Sequence, residues 1–412
     1  MQSAMYDLLN KISFTRTSGS NEELECANII ANEVKKCNLN VEIVPFEVTK
    51  SEFITVELVS SNNIKYEVTG YKMGGVTSSE GLTAPFYYME SDDEVSRLNA
   101  KGKIVLVNGY LRKPMYEAIT KAGAVGFITY AGDVYDDDAD IDIRELREPL
   151  WECGKLPGIH MRTIDAMRLV LEEPEEVTIK LIKEDSKTIS HNVITEIKGM
   201  EYPEEVIVYT AHYDSVLFSK GAYDNGAGSV IILELMKHFV KNPPKRTVRF
   251  VWCGSEERGL LGSKNYVYNL SEEELDKIKL NVNVDVAGTV LGRDSAVILG
   301  NDAFVNMVSY LSKEVAFQIG VRKDIYSSDC IPFTDRGVPS INFMRFGSNE
   351  SAHIHDRYDT THFISSGSLE NTYRFVKLFS DRIQQYKVFP IDKEIPKDIK
   401  EKVDKYLFKK VN

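Results

Sequence analysis

A chain of 412 residues exceeds what one hydrophobic core normally serves, so two domains are expected. With 43% hydrophobic, 27% charged and 10% aromatic residues the composition is that of a globular protein, which excludes disordered and fibrous classes. A formal net charge of −12 repels a phosphate backbone, and no dense Lys/Arg stripe offsets it, so no nucleic acid is expected as a partner.

No apolar run approaches the roughly 20 residues that a bilayer span requires, and the start, MQSAMYDLLNKISF, lacks a basic region ahead of an apolar one. A cytoplasmic protein with no membrane partner is the expectation. Cys26, Cys37, Cys153, Cys253 and Cys330 are scattered and never in CxxC spacing, which suits reduced thiols better than a disulfide framework.

After a turn at residues 16–20, Asn21 is placed to cap a helix running to about residue 37, with Leu24, Ala27, Ile30 and Val34 at helical spacing. A strand comes next at about 41–48. Residues 53–187 then change texture to short β-like runs and turns, including KGKIVLV and a helix that breaks at Gly123 into the strand GFITY. This stretch reads as a β-rich α+β insert, leaving residues 1–52 and 188–412 as a discontinuous main domain. Its acidic run at 136–142 lacks the ligand spacing and terminal Glu of a calcium loop and reads as a solvated loop.

From Ser190 onward strands and helices alternate: NVITEIKG, EEVIVYTAHYD, a helix near 226–240, TVRFVWCGSEE, a helix near 262–268 and KLNVNVDVAG. Strands that are apolar throughout, separated by helices, predict an α/β fold with a largely parallel sheet covered on both faces. Near the C-terminus Ile399, Val403, Tyr406 and Leu407 share one helical face, predicting a packed terminal helix.

Polar residues at the carboxyl ends of predicted strands mark where open parallel sheets place ligands. His212 and Asp214 end one strand two residues apart, a spacing that suits a metal-binding imidazole and an orienting carboxylate. Asp224 sits in the glycine-rich GAYDNGAG, where it serves either as a bridging ligand or as a helix cap. Glu256 and Glu257 come directly after a buried strand, a pair that can divide metal binding from proton transfer. Asp285 ends the strand NVNV, and His353, His355 and His362 crowd one short segment.

Taken in order, HYDS, AYDNGAG, GSEERGLLGS, NVDVAG and HDRYDT resemble the motifs of the M28 zinc peptidases. The resemblance implies a three-layer zinc-exopeptidase fold with a mixed, largely parallel sheet. It further implies two zinc ions, one on His212 and Asp285 and one on Glu257 and His355, with Asp224 bridging. Glu256 would be the general base and Asp214 would orient His212. His355 is preferred to His353 because HDRYDT is similar to the family's H-T-x-x-D-T element, with Asp359 and Thr360 in the matching places and Asp356 in place of the Thr.

YSSDCIPFTDRGVPSINF is similar to the family's S-D-H-x-x-F…G-x-P stretch, with Cys330 in place of the His. Ser328 and Asp329 there either shape a substrate pocket or form a structural turn. The insert, through GKIVLV, KAGAVGFITY and LPGIHMR, resembles a protease-associated domain, a place from which it would limit the peptides admitted.

In function, the resemblance implies an aminopeptidase acting on peptides with a free N-terminus. Two divalent ions about 3.5–4 Å apart can share one hydroxide suited to amide hydrolysis. Co²⁺ or Mn²⁺ would satisfy the same N/O donors. A carboxypeptidase, another amide hydrolase or a glutaminyl cyclase on the same fold are the alternatives, and a receptor-like scaffold without catalysis stands further off because every expected ligand is present. The sequence does not set the oligomeric state, and a homodimer is compatible with it.

Overall fold

The computed structural model describes residues 4–108, 111–348 and 351–409. It divides into two compact units, Met1–Val48 with Thr188–Asn412, and Thr49–Lys187. The division falls inside a strand, Val41–Ser60, along which the chain leaves the main unit.

The main unit is built on a mixed, largely parallel sheet. Its strands are β1 (Glu176–Ile197, of which residues 188–197 belong to this unit), β2 (Tyr202–His212), β3 (Arg246–Cys253), β4 (Ile278–Val284), β5 (Gly292–Leu299), β6 (Gly320–Lys323) and β7 (Ser340–Gly347), in the spatial order β6-β5-β7-β4-β2-β3-β1. β2 pairs in parallel with β3 and β4, and β4 pairs in parallel with β7. β1 runs antiparallel to β3, and β5 antiparallel to β7.

Alternation along a strand sends successive side chains to opposite faces, and both faces are apolar here. Ile207, Tyr209 and Ala211 of β2 pack with the helices α1 (Ala4–Ile12), α2 (Asn21–Lys35), α3 (Ala227–Lys241) and the later Ser366–Gln385. Val206 and Val208 point the other way, to Tyr266 and Val267 of α4 (Leu261–Tyr268) and to Leu275 and Phe333. Helices therefore cover both faces, and the architecture is α/β in three layers. A terminal helix, Lys397–Tyr406, buries Ile399 and Val403 against Leu260, Leu299 and Ile331, as its one-sided pattern predicts.

One local expectation is corrected. The N-cap of α2 is Ser20, whose hydroxyl accepts from the N–H of Glu23, and Asn21 is the first helical residue. Either residue type can cap, but only Ser20 has a Glu three positions on, the spacing that marks a helix start.

In the second unit, Leu82–Met89, Ile104–Val107, Gly126–Ala131 and Gly158–Arg162 lie side by side in parallel, with Thr69–Lys72 added antiparallel. The helix Lys113–Ala122 ends at Gly123, whose φ of 85° lies in the left-handed region that glycine enters without a Cβ clash. Within the acidic run only Asp137 and Asp138 form an exposed turn; Asp136, Asp140 and Asp142 are half-buried and Ile141 is buried. Among the described residues no helix is long and apolar enough to cross a membrane.

Candidate metal centre

Parallel register brings the polar residues together. His212 pairs with Cys253 and Thr210 with Asn283, so β2, β3 and β4 end along one edge of the sheet. His212 is the last residue of β2, Asp285 comes directly after β4, and Glu256 and Glu257 lie in the turn after β3. Asp224 comes from the turn Ala222–Gly226 that leads into α3. It is not a helix cap: Gly226 holds the N-cap position of α3 and no side chain caps it. The Asp224–Asn225 peptide is cis.

Asp224 spans two imidazoles. Its Oδ1 is 3.0 Å from Nε2 of His212, and its Oδ2 is 3.3 Å from Nε2 of His355. Each imidazole has a further carboxylate of its own: Asp285 Oδ1 lies 3.5 Å from His212 Nε2, and Glu257 Oε2 lies 3.0 Å from His355 Nε2. Donor atoms about 2.0–2.2 Å from a four-coordinate zinc ion sit roughly 3.3–3.5 Å from one another. The spacings here fall near that value, and the chemistry of imidazole with carboxylate suits zinc. Glu257 Oε1 and Asp285 Oδ1 are buried with no hydrogen-bond partner among the described residues, lone pairs that a cation would satisfy. The residues present fit zinc, with donor atoms of His212, Asp224 and Glu257 all within 4.8 Å of one another.

Electrostatics give the same answer. Burial opposes the imidazolium of His212, but Glu256, Asp214, Asp224 and Asp285 outweigh it and raise its pKa well above the ordinary value. His355 is likewise opposed by burial, yet Glu257 and Asp224 push it up to about 12. Burial, then the neighbouring Asp224, lifts Glu257 to about 7. Burial also raises Glu256 well above its usual range. Carboxylates crowded to this degree resist ionising together unless positive charge joins them.

Glu256 is set apart from the ligands. It is 8% exposed, and its Oε2 stands 3.9 Å from His212 Nε2. Asp214 governs the turn that carries it: Oδ1 and Oδ2 accept from the backbone N–H of Glu256 at 3.0 Å and of Glu257 at 3.3 Å. Toward His212 the same carboxylate is looser, with Oδ1 3.4 Å from Nδ1.

Further residues fix the site that the motifs alone did not assign. Asp359 accepts from the N–H of Tyr223 at 2.7 Å and of Asp224 at 3.2 Å, and so sets the turn that presents the bridging carboxylate. Asn225 links that turn to β4, donating to Val284 O at 2.8 Å and accepting from the N–H of Val286 at 3.2 Å. Val286 is held at φ 56°, a strained value for a β-branched residue, directly after Asp285. His353 turns aside to Asp356, with Nδ1 3.0 Å from Oδ2, which gives the residue in the Thr position a partner of its own. Ser328 and Asp329 are buried at 0% and 1% exposure, and the Asp329 side chain caps no helix.

Known proteins resemble this chain in sequence and fold. Residues 192–380 match the family described as Peptidase family M28. The aminopeptidase YwaD of Bacillus subtilis is 31% identical over 354 residues, 84% of this chain and 75% of that protein. A probable leucine aminopeptidase 2 of Trichophyton verrucosum is 34% identical over 196 residues, 46% of this chain and 38% of that protein. The solved structure of BSAP, a zinc aminopeptidase from Bacillus subtilis, aligns with a TM-score of 0.78 at 26% identity, covering 96% of this chain and 98% of that one. With the matched region holding the whole site and the likeness extending along most of the chain, the protein belongs to peptidase family M28.

Proposed function

We propose that the protein is a zinc-dependent aminopeptidase that removes N-terminal residues from peptides. The observation that carries this is Asp224, whose two oxygens face two imidazoles, each with its own second carboxylate, while Glu256 is left beside them. The aminopeptidases among its relatives support the choice of substrate end.

His212 and Asp285 would hold one zinc ion, Glu257 and His355 a second, and Asp224 both. Bound there, zinc lowers the pKa of water toward neutrality and polarises a peptide carbonyl. Co²⁺ or Mn²⁺ would be accepted by the same donors. Glu256, buried with its Oε2 3.9 Å from His212 Nε2, takes the proton of the attacking water and returns it to the leaving amine. Asp214, by anchoring the N–H groups of Glu256 and Glu257, keeps base and ligand at a fixed separation. The anionic surroundings favour a substrate with a free ammonium group at its N-terminus. The insert resembling a protease-associated domain selects among peptides, and its replacement should alter specificity before it alters rate. Five cysteines that are all free thiols favour a reducing compartment.

Hydrolysis of aminoacyl-p-nitroanilides tests this reading, with chelation, zinc restoration and N-acetylated analogues. Activity confined to free-amine substrates, lost on chelation and regained with zinc, is expected. Equal cleavage of the acetylated analogues, or full activity in chelator, would overturn it.

A further inference from the structure

The segment ahead of α2 reaches the site from far away in sequence. Arg16 is fully buried, and its guanidinium donates to backbone carbonyls: Nε to Tyr213 O, Nη1 to Lys220 O at 2.6 Å and Phe14 O at 3.0 Å, and Nη2 to Gly221 O at 2.7 Å. Tyr213 comes immediately after His212, and Gly221 precedes Asp224 by three residues, so one side chain spans the loop between two ligands. Backbone bonds reinforce the contact, Arg16 N–H to Ser215 Oγ at 3.0 Å and Ser215 N–H to Arg16 O at 3.2 Å. Gly221 is fitted to this: its φ is 55°, and a Cβ there would stand 2.8 Å from Nη2 of Arg16.

Seven residues on, Glu23 is also fully buried and holds the other turn. Its Oε1 accepts from Ser255 N–H at 3.0 Å, Ser255 Oγ at 3.2 Å and Ser190 Oγ at 2.8 Å, while Oε2 accepts from Gly19 N–H at 2.7 Å. Ser255 immediately precedes Glu256 and is itself at φ 55°. A buried Arg and a buried Glu are costly to keep, and here neither pairs with the other: each is committed to a turn that carries site residues.

We propose that Arg16 and Glu23 are positioning residues that hold the His212–Asp224 loop and the Glu256–Glu257 turn in catalytic register. This rests on the assignment of Glu256 as general base. A misplacement of the order of 1 Å can lower rate by about 100-fold, so loss of the anchor should appear in kcat while substrate binding is kept.

The test compares E23Q, R16K and S255G with the parent protein and with E256Q, by kcat and KM per zinc-loaded site, well below each melting temperature. Gln puts an amide N–H where one donor must be accepted, and Lys, with its donors on a single nitrogen, cannot span four carbonyls. Glycine removes the Ser255 hydroxyl at a φ it adopts freely, which keeps the question open should E23Q fail to fold. Expected are a kcat lower by about 10- to 100-fold in E23Q and R16K, a smaller loss in S255G, and KM within about twofold throughout. Parental kcat per loaded site in E23Q and S255G, with only melting temperatures lowered, would reduce the pair to a structural role and overturn the proposal. Full turnover in E256Q would instead remove the base assignment on which the proposal rests.

Discussion

Two histidines of this chain are almost completely buried, and their surroundings could hardly differ more. His212, 1% exposed in the main unit, lies among Asp214, Asp224, Glu256 and Asp285, which raise its pKa well above the ordinary value. His160, 3% exposed in the insert, has Nδ1 2.8 Å from Thr129 Oγ1 and Nε2 3.5 Å from the Arg144 Nε–H. Burial, aided by Arg144, lowers its pKa to about 3. A buried imidazole is therefore not a ligand by virtue of burial. What distinguishes His212 is a shell of carboxylates whose charge requires a cation, whereas His160 is a neutral link in a chain of hydroxyls that continues to Tyr71.

The comparison breaks most sharply at Asp224. Asp224→Asn removes charge from the group shared by both imidazoles and should abolish peptidase activity while cutting bound zinc below two ions per chain, measured by atomic emission. Glu256→Gln should keep zinc yet lose about 10²–10⁴-fold in kcat, since only the proton transfer is removed. Asp359→Asn acts one step away, through the N–H groups of Tyr223 and Asp224. Zinc affinity there should weaken by about 10- to 100-fold, read by competition with a chromophoric chelator.

For His160 the expected effect is on stability alone. Its folded pKa lies below the unfolded value of about 6.5, so the folded insert refuses a proton that the unfolded chain accepts. The stability it contributes is present above about pH 6.5 and is lost as pH falls toward about 3. His160→Gln should flatten that dependence in urea unfolding between pH 7 and 4 while zinc content and kcat stay parental. Smallest of all, His353→Ala should change kcat/KM by no more than about twofold, because its ring turns to Asp356 and away from the cluster.

Much of the site is legible in the sequence because the chemistry sits at strand ends. A residue such as His212 or Asp285, polar and directly after an apolar run, announces itself. The alternation of Ile207, Tyr209 and Ala211 with Val206 and Val208 is likewise the pattern of a strand covered on both faces. What the sequence does not disclose are contacts to the backbone across long separations. Arg16 reads as the start of a turn, and nothing local says that its guanidinium reaches Tyr213 and Gly221. Glu23 reads as one more acid in a helix that starts S-N-E-E, although it accepts from Ser255, 232 positions later. The strained φ of Val286, directly after Asp285, leaves no mark in residue type.

Anomalous scattering at the zinc edge, from crystals grown with excess zinc, addresses the central claim most directly. Two peaks are expected on either side of Asp224, one about 2.0–2.2 Å from His212 and Asp285 and the other at that distance from Glu257 and His355. A single peak, or peaks that leave Asp224 without a metal on either oxygen, would contradict the two-metal reading.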